Sequence, residues 1–500
     1  MRTPLNLLAF DLGASNGRAI LGRFDGNRID LQELHRFENN YIPLNGTVYW
    51  DVLELFRQMK QGLHAFRQSG LHTLDCFGID TWGVDYGLLD KNGHLLGNPR
   101  SYRAALDADM LPVFDRIPFS ELFARTGIAA QSYNTLFQLY KRKQENDTAL
   151  EHADTLLFLP DLLGYFFTGE KRTEYTIATT SMLLDARRKG WDKKTIRELG
   201  LPETIFTEID RPGLLRGKML RQITEECGLK SAVCAAVGSH DTASAVAAIP
   251  GSGNFAFCSS GTWSLFGIET DEPVLTDSVR DANFSNEGTV QGGFRPLKNI
   301  MGLWIIQECR RDWIKAGCFY SWDDLVALAE QAEPFRSIID PDHPAFFTAG
   351  NMEQKIRQYC QTTKQPVPET PAQTARCIYE SLALKYRWAL ERLQEINTSQ
   401  IDQLNITGGG IQNRFLNQLA ADATNRLVVT GPREGAAIGN LLTQAMALGE
   451  VGSIFELREI VCRSEQIETW HPHHTQAWED AYGKMLDLSA GSNADSFPLS

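Results

Sequence analysis

Asp11-Leu12-Gly13-Ala14-Ser15-Asn16-Gly17-Arg18 lies between two apolar runs, Leu7-Leu8-Ala9-Phe10 and Ala19-Ile20-Leu21. An apolar run, a turn of small polar residues and a second apolar run read as a β-hairpin. Gly13 and Gly17 let the backbone curl with its N–H groups inward, a concavity suited to phosphate. Asp11, at the strand end, puts a carboxylate where a hydrated magnesium ion could sit. Arg18 adds a fixed positive charge. The same residues also serve an ordinary N-terminal hairpin. Far downstream, Phe255-Ala256-Phe257 enters Cys258-Ser259-Ser260-Gly261-Thr262 and leaves through Trp263-Ser264-Leu265-Phe266-Gly267. Two such hairpins, one opening each half, predict a duplicated α/β chain with phosphates held between the halves.

The chain has 500 residues, more than one hydrophobic core usually supports, so two domains are expected. Hydrophobic residues make up 43% and charged ones 22%, as in soluble globular proteins. The net charge is −13 with no long basic run, which argues against nucleic acid or an anionic membrane as partner. Bound phosphates would then depend on backbone N–H groups and a few local cations. The N-terminus has no charged-then-apolar signal pattern, and no apolar segment reaches membrane-spanning length. Nine cysteines without a C-x-x-C pair suit free thiols in a reducing cytoplasm, although Cys360 and Cys377 could meet across a loop.

Strand-like runs alternate with helical patterns, the mark of α/β architecture. Ile249-Pro250-Gly251-Ser252-Gly253 is the cleanest boundary. It divides residues 1–248 from 249–488, and 489–500 read as a frayed tail. Thr370-Pro371-Ala372-Gln373 offers an N-cap, a first-turn proline and a reciprocal capping Gln, opening a helix to Asn397.

Five further segments bear on chemistry or packing. Gly408-Gly409-Gly410-Ile411-Gln412-Asn413 is a strand-to-helix turn whose missing Cβ atoms suit a flat base; Asn413 caps the next helix or faces the ligand. Glu434-Gly435-Ala436-Ala437-Ile438-Gly439-Asn440 opens a helix with tiny residues, which suits close helix packing. Ser239-His240-Asp241-Thr242 is not a hydrolase triad, because adjacent residues on an extended chain point to opposite faces. Asp241 is instead a single general base, the N-cap of the following helix, or both. Asp80-Thr81-Trp82-Gly83-Val84-Asp85-Tyr86 sets polar groups beside a Trp and a Gly, as a sugar needs; a core Trp in a turn reads equally well. Asn299 and Gln307, eight residues apart, would share one helix face.

In order and spacing these motifs resemble the FGGY carbohydrate kinases. Pro160-Asp161, Phe167-Thr168-Gly169 and Glu174-Tyr175-Thr176 add to the match, as does Lys298-Asn299-Ile300-Met301-Gly302-Leu303-Trp304. The resemblance implies an α/β fold of two ribonuclease-H-like, actin-like ATPase domains with a cleft between them. It implies an ATP-dependent sugar kinase using Mg2+, with Asp11 toward the metal. Ala14, Ser15, Asn16, Gly17, Arg18 and Thr262 would hold phosphates, and Asn299, Gln307 and Gly409 would lie around the nucleotide. Gly83, His240, Asp241 and Thr242 would face the sugar, with Asp241 the base. The implied acceptor is L-rhamnulose at its primary hydroxyl; L-fuculose, xylulose, or an actin-like ATPase without a sugar are the alternatives. The only partners implied are the sugar and ATP, acting on a monomer or small homo-oligomer. One departure stands out: Tyr102-Arg103 is followed by Ala104-Ala105-Leu106-Asp107, where the family often carries Asp and a second Arg.

Overall fold

The computed structural model describes residues 4–105, 109–251, 253–473 and 476–492. Leu106, Asp107 and residues 493–500 of the expected tail lie outside them. The chain forms two compact units. The first comprises 1–249, 269–296 and 434–465; the second comprises 250–268, 297–433 and 466–500. Each is therefore built from separated stretches of sequence.

In the first unit, β1 (Leu5–Leu12), β2 (Asn16–Phe24) and β3 (Ile29–Glu38) form an antiparallel meander. Helix α1 (Val52–Gln68) leads to β4 (Cys76–Thr81), which lies parallel to β1. β5 (Leu215–Lys218) and β6 (Val233–Ala235) complete the sheet in the order β5-β6-β4-β1-β2-β3. The short helix α2 (Asp241–Ala247) follows β6.

Period-two alternation along β1 explains the layering. Leu8, Phe10 and Leu12 pack with Leu55, Met59, Leu63 and Phe66 of α1. Leu7 and Ala9 face the other way, onto Ile438, Leu441, Leu442 and Ala445 of a late helix, Gly435–Ala447. Glycine makes that second contact possible: a Cβ on Gly78 would come within 2.5 Å of Asn440 Oδ1. The close packing expected at 434–440 is found. A Cβ on Gly439 would lie 1.8 Å from Ser244 O of α2, so the two helices touch through their backbones.

The second unit repeats the pattern. β7 (Phe255–Ser260), β8 (Trp263–Gly267) and β9 (Phe294–Met301) run antiparallel, with β9 in this unit from Leu297 onward. Helix α3 (Trp304–Lys315) and the long α4 (Pro371–Ile396) follow. β10 (Gln403–Thr407) is parallel to β7, β11 (Leu427–Thr430) is parallel to β10, and β12 (Glu468–Trp470) closes the edge antiparallel. Read outward from the hairpin strand, both sheets show the same run of antiparallel and parallel neighbours. The duplication read from the two hairpins is real.

Thr370 caps α4 by accepting from Gln373 N at 3.3 Å. Gln373 reaches back one residue farther than expected, accepting from Glu369 N. A final helix, Gln476–Ser492, runs four residues into the stretch expected as a tail. All nine cysteines are free thiols, the neighbouring Cys360 and Cys377 included. Among the described residues no helix is long and apolar enough to cross a membrane.

Candidate active site

Sheet register gathers the carboxylates of the first unit. Asp11 is the partner of Asp80 across the parallel β1–β4 pair and of Arg18 across the β1–β2 hairpin. Directly opposed residues on one face interact, and Arg18 ion-pairs with both Asp11 and Glu434. A parallel bridge between Thr81 and His240 brings the segment after β6 alongside the end of β4. Asp11, Asp80 and Asp241 thus collect at the carboxyl ends of parallel strands, where open α/β sheets bind ligands.

Asp80 is fully buried. Its Oδ2 accepts from Asn440 Nδ2 at 2.5 Å, while Oδ1 has no hydrogen-bond partner. Burial, followed by the charge of Asp11, pushes its pKa well above the carboxylate range. Burial also raises Asp11, against the pull of Arg18, and the Asp241 charge adds to it. Mutually repelling oxygens of this kind fit a hard divalent cation. Among the described residues no three His, Cys, Asp or Glu side chains form a closed cage. Magnesium needs none, since it takes one or two carboxylates together with phosphate and water.

Asp241 is the first residue of α2, and His240 holds the N-cap position without a side-chain cap bond. The expected capping role of Asp241 is therefore corrected. At N1 rather than the N-cap, its carboxylate bonds only the adjacent residue, N2, and accepts nothing from the amide at N3. Oδ1 accepts from Thr242 N at 2.6 Å and Thr242 Oγ1 at 3.1 Å. Oδ2 takes neither bond, and the side chain is 34% exposed. His240 Nε2 sits 3.5 Å from Asp241 Oδ1, with Nδ1 3.0 Å from Glu287 Oε2. Glu287 also accepts from the buried Arg295 at 3.2 Å. Burial raises Glu287, but His240 and Arg295 hold it below its ordinary value. Burial lowers Arg295. Ser239 Oγ turns to the Val237 carbonyl at 3.5 Å, so no Ser-His-Asp relay exists.

Beneath this segment, Glu174 Oε2 accepts from Ser239 N at 3.2 Å, and Thr176 Oγ1 accepts from His240 N at 3.2 Å. Asp161 accepts from Glu174 N and pairs with Arg216 at 2.6 Å. This buried chain fixes the backbone from which His240 and Asp241 project.

The first hairpin turn works differently from its sequence reading. Neither Gly13 nor Gly17 has a positive φ. Gly17 lies within β2, and its reason is packing: a Cβ would sit 2.2 Å from Phe37 Cζ. The turn is tied through its carbonyls. Asn16 O accepts from Gly13 N, Ser15 O from Asn39 N, and Gly13 O from Asn39 Nδ2. Ala14, Ser15 and Asn16 stay half-buried or exposed at the tip.

In the second unit the turn after β7 is anchored to the start of α3. Thr262 O accepts from Gly302 N and Trp304 N at 3.1 Å. Thr262 Oγ1 donates to Gln307 Oε1 at 3.3 Å. Asn299 and Gln307 do not share a helix: Asn299 is on β9 and Gln307 on α3. Gly302 breaks the element between them, because a Cβ there would strike Ser264 N at 2.8 Å. The buried Asn299 Oδ1 has no hydrogen-bond partner. In the glycine turn, Gly408 has φ +86° and Gly410 backs onto Ser260, whereas a Cβ on Gly409 meets nothing within 4 Å. Asn413 caps the next helix by accepting from Leu416 N.

The structure thus unites Asp11, Arg18, His240, Asp241 and Thr242 in one unit, and Thr262 with Gln307 in the other. Sequence reasoning missed Asp80 as an acid, Glu287, Arg295, Glu434 and Asn440. Asp80, Glu434 and Asn440 lie in segments singled out for other reasons, and their partners stand far along the chain; Glu287 and Arg295 pair with each other across eight residues but meet His240 only through the fold.

Family models agree with this architecture. The FGGY family of carbohydrate kinases, N-terminal domain, matches residues 6–248, and its C-terminal domain matches 256–448. A rhamnulokinase of Bacteroides thetaiotaomicron is 44% identical over 95% of this chain and 98% of its own. One from Bacillus subtilis is 37% identical over 93% and 95%. The fold is shared with a ligand-bound xylulose kinase of Lactobacillus acidophilus, at TM-score 0.83 and 14% identity over 98% of this chain and 99% of that one. It is shared too with Plasmodium falciparum glycerol kinase with ADP, at TM-score 0.76 and 14% identity over 99% of both. The chain belongs to the FGGY family of carbohydrate kinases.

Proposed function

We propose that this kinase transfers the γ-phosphoryl group of ATP to the primary hydroxyl of L-rhamnulose, giving L-rhamnulose 1-phosphate and ADP. Relatives at 37–44% identity over nearly the whole chain carry the name rhamnulokinase, which supports this acceptor over other ketoses. The observation that carries the chemistry is the Asp241 carboxylate, braced on one oxygen by Thr242 and His240 and projecting beside Asp11.

Asp241 takes the proton of the attacking hydroxyl as its oxygen bonds to the γ-phosphorus. The bond from phosphorus to the bridging oxygen breaks, and its electrons leave with ADP. Such base catalysis is worth about 10²–10⁴-fold. Gly83, His240 and Thr242 would hold the sugar. Ala14 to Arg18 and Thr262 would bind phosphates, and Asn299, Gln307 and Gly409 the rest of the nucleotide. Asp11 would hold the magnesium ion, which when bound neutralises phosphate charge. The nine free thiols suit a reducing cytoplasm.

Asp241→Asn tests the reading. Asn is nearly isosteric but a poor proton acceptor. We expect kcat to fall by about two orders of magnitude or more, while an ATP analogue with magnesium binds as in the parent. A kcat within a few-fold of the parent would remove Asp241 from the chemistry.

A further inference from the structure

The chain turns sharply at Gly83-Val84-Asp85. Val84 has φ +67°, a region β-branched residues rarely enter. Asp85 N donates to Gly83 O at 2.9 Å, closing a three-residue turn around it. Strain of this kind persists only where neighbours impose it. Here they do. Val84 N donates to Thr180 Oγ1 at 3.1 Å, and Val84 O accepts from Thr135 Oγ1 at 2.7 Å.

The turn drives Asp85 into the core, where it is 1% exposed. Four donors meet its carboxylate, none of them a full charge. Oδ2 accepts from Trp50 Nε1 at 2.6 Å, Trp82 Nε1 at 2.9 Å and Tyr102 N at 3.2 Å; Oδ1 accepts from Gln138 Nε2 at 3.3 Å. Burial pushes the Asp85 pKa up to about 6 against the pull of both indoles, so it is a carboxylate at neutral pH. A buried ion held only by neutral donors is a poor way to fill a core. It is a good way to fix two indoles, since neither ring can slide without stranding the charge.

The fixed rings form a wall whose inner members are buried, Trp50 wholly and Trp82 all but 7%, and whose outer members, Tyr102 and Tyr133, are half-buried. Trp50 and Trp82 lie with centroids 4.4 Å apart, Tyr102 is 6.4 Å from Trp50, and Tyr133 is 5.9 Å from Tyr102. The Arg103 guanidinium sits 5.3 Å over Tyr102. The wall adjoins the segment of the base: Thr81, next to Trp82, forms a parallel bridge with His240, next to Asp241. The half-buried Tyr102 and Tyr133 rings, backed by the two indoles, suit a sugar, with its C–H face against a ring and its hydroxyls toward polar atoms.

We propose that Asp85 is a positioning residue for the acceptor sugar: one carboxylate, holding Trp50, Trp82 and the Tyr102 backbone, sets the aromatic wall that presents the sugar hydroxyl to Asp241. This rests on Asp241 being the base of a sugar kinase.

The test compares Asp85→Asn and Trp82→Phe with the parent, measuring sugar Kd by intrinsic tryptophan fluorescence alongside KM for sugar and for ATP. Asp85→Asn keeps one acceptor but turns an amide NH2 toward donors. Trp82→Phe keeps a ring and removes one bond to Asp85. We expect sugar Kd and KM to rise about tenfold or more in Asp85→Asn and less in Trp82→Phe, with KM for ATP within twofold in both. Should Asp85→Asn not fold, the Trp82→Phe split between substrates decides. A sugar Kd unchanged in the variants, or both substrates weakened in step with a fall in Tm, would make Asp85 a structural prop and overturn the proposal. A parent that binds ketose yet fails to phosphorylate it would instead refute the reading of Asp241, while the Kd comparison still decides on Asp85.

Discussion

Asp80 shows what a single residue can hide. Its place in a strand was legible, as was its neighbourhood of polar residues. That its carboxyl is wholly buried, bonded to Asn440 on one oxygen and orphaned on the other, depends on a residue 360 positions away. An acid whose folded pKa is raised withholds stability as pH rises. At acid pH both states are protonated; above the ordinary carboxylate pKa the unfolded chain ionises first, and the deficit grows until the folded pKa is passed. Asp80→Asn removes that deficit. The Tm of Asp80→Asn relative to the parent should therefore climb as pH rises above the ordinary carboxylate range. A pH-independent difference would mean that Asp80 ionises normally in the fold. Asp11, Arg18 and Asp241 were legible because each sits in a short motif beside a strand; Glu287 and Glu434 were not, because only tertiary pairing brings them to His240 and Arg18.

At the scale of elements, the glycines carry the information. Close packing of the Gly435–Ala447 helix was anticipated from its run of tiny residues; its partner was not, and it is α2, the helix that begins at Asp241. Gly439→Ala would force a Cβ to within 1.8 Å of Ser244 O. Overpacking of this kind typically costs about 1–3 kcal/mol, and here backbone rather than a flexible side chain must yield. We expect a clear fall in Tm and in kcat; a variant with the parent's Tm would contradict the packing. The triple-glycine turn separates two roles. Gly410→Val would set its side chain 2.1 Å from Ser260 Oγ and should act through stability. Gly409→Val has open space and should fold, but raise KM for ATP about tenfold with little effect on KM for sugar. Equal effects on both substrates would assign Gly409 to the scaffold. The helix expected to join Asn299 to Gln307 shows where periodicity misleads. The apolar run Ile300-Met301 belongs to a strand, and Gly302 ends it so that the chain can pass Ser264.

For the whole molecule, the duplicated sheet was legible from two hairpins because each is local and begins a strand–turn–strand unit. The assembly of each unit was not. The segments at 269–296 and 434–465 return to the first unit, and they bring Glu287, Arg295, Glu434 and Asn440 with them. No composition change marks those crossings, since core-forming stretches look alike whichever core they join. Kinship with rhamnulokinases points to the acceptor, and the Ala104-Ala105 departure lies in the short 3-10 helix Tyr102–Ala105, beside the aromatic wall. The most direct test is kcat/KM for ATP-dependent phosphorylation across L-rhamnulose, L-fuculose, D-xylulose and glycerol with the purified full chain. L-rhamnulose should exceed each of the others by about tenfold or more. Another acceptor tenfold above L-rhamnulose, or ATP turnover indifferent to sugar, would contradict it.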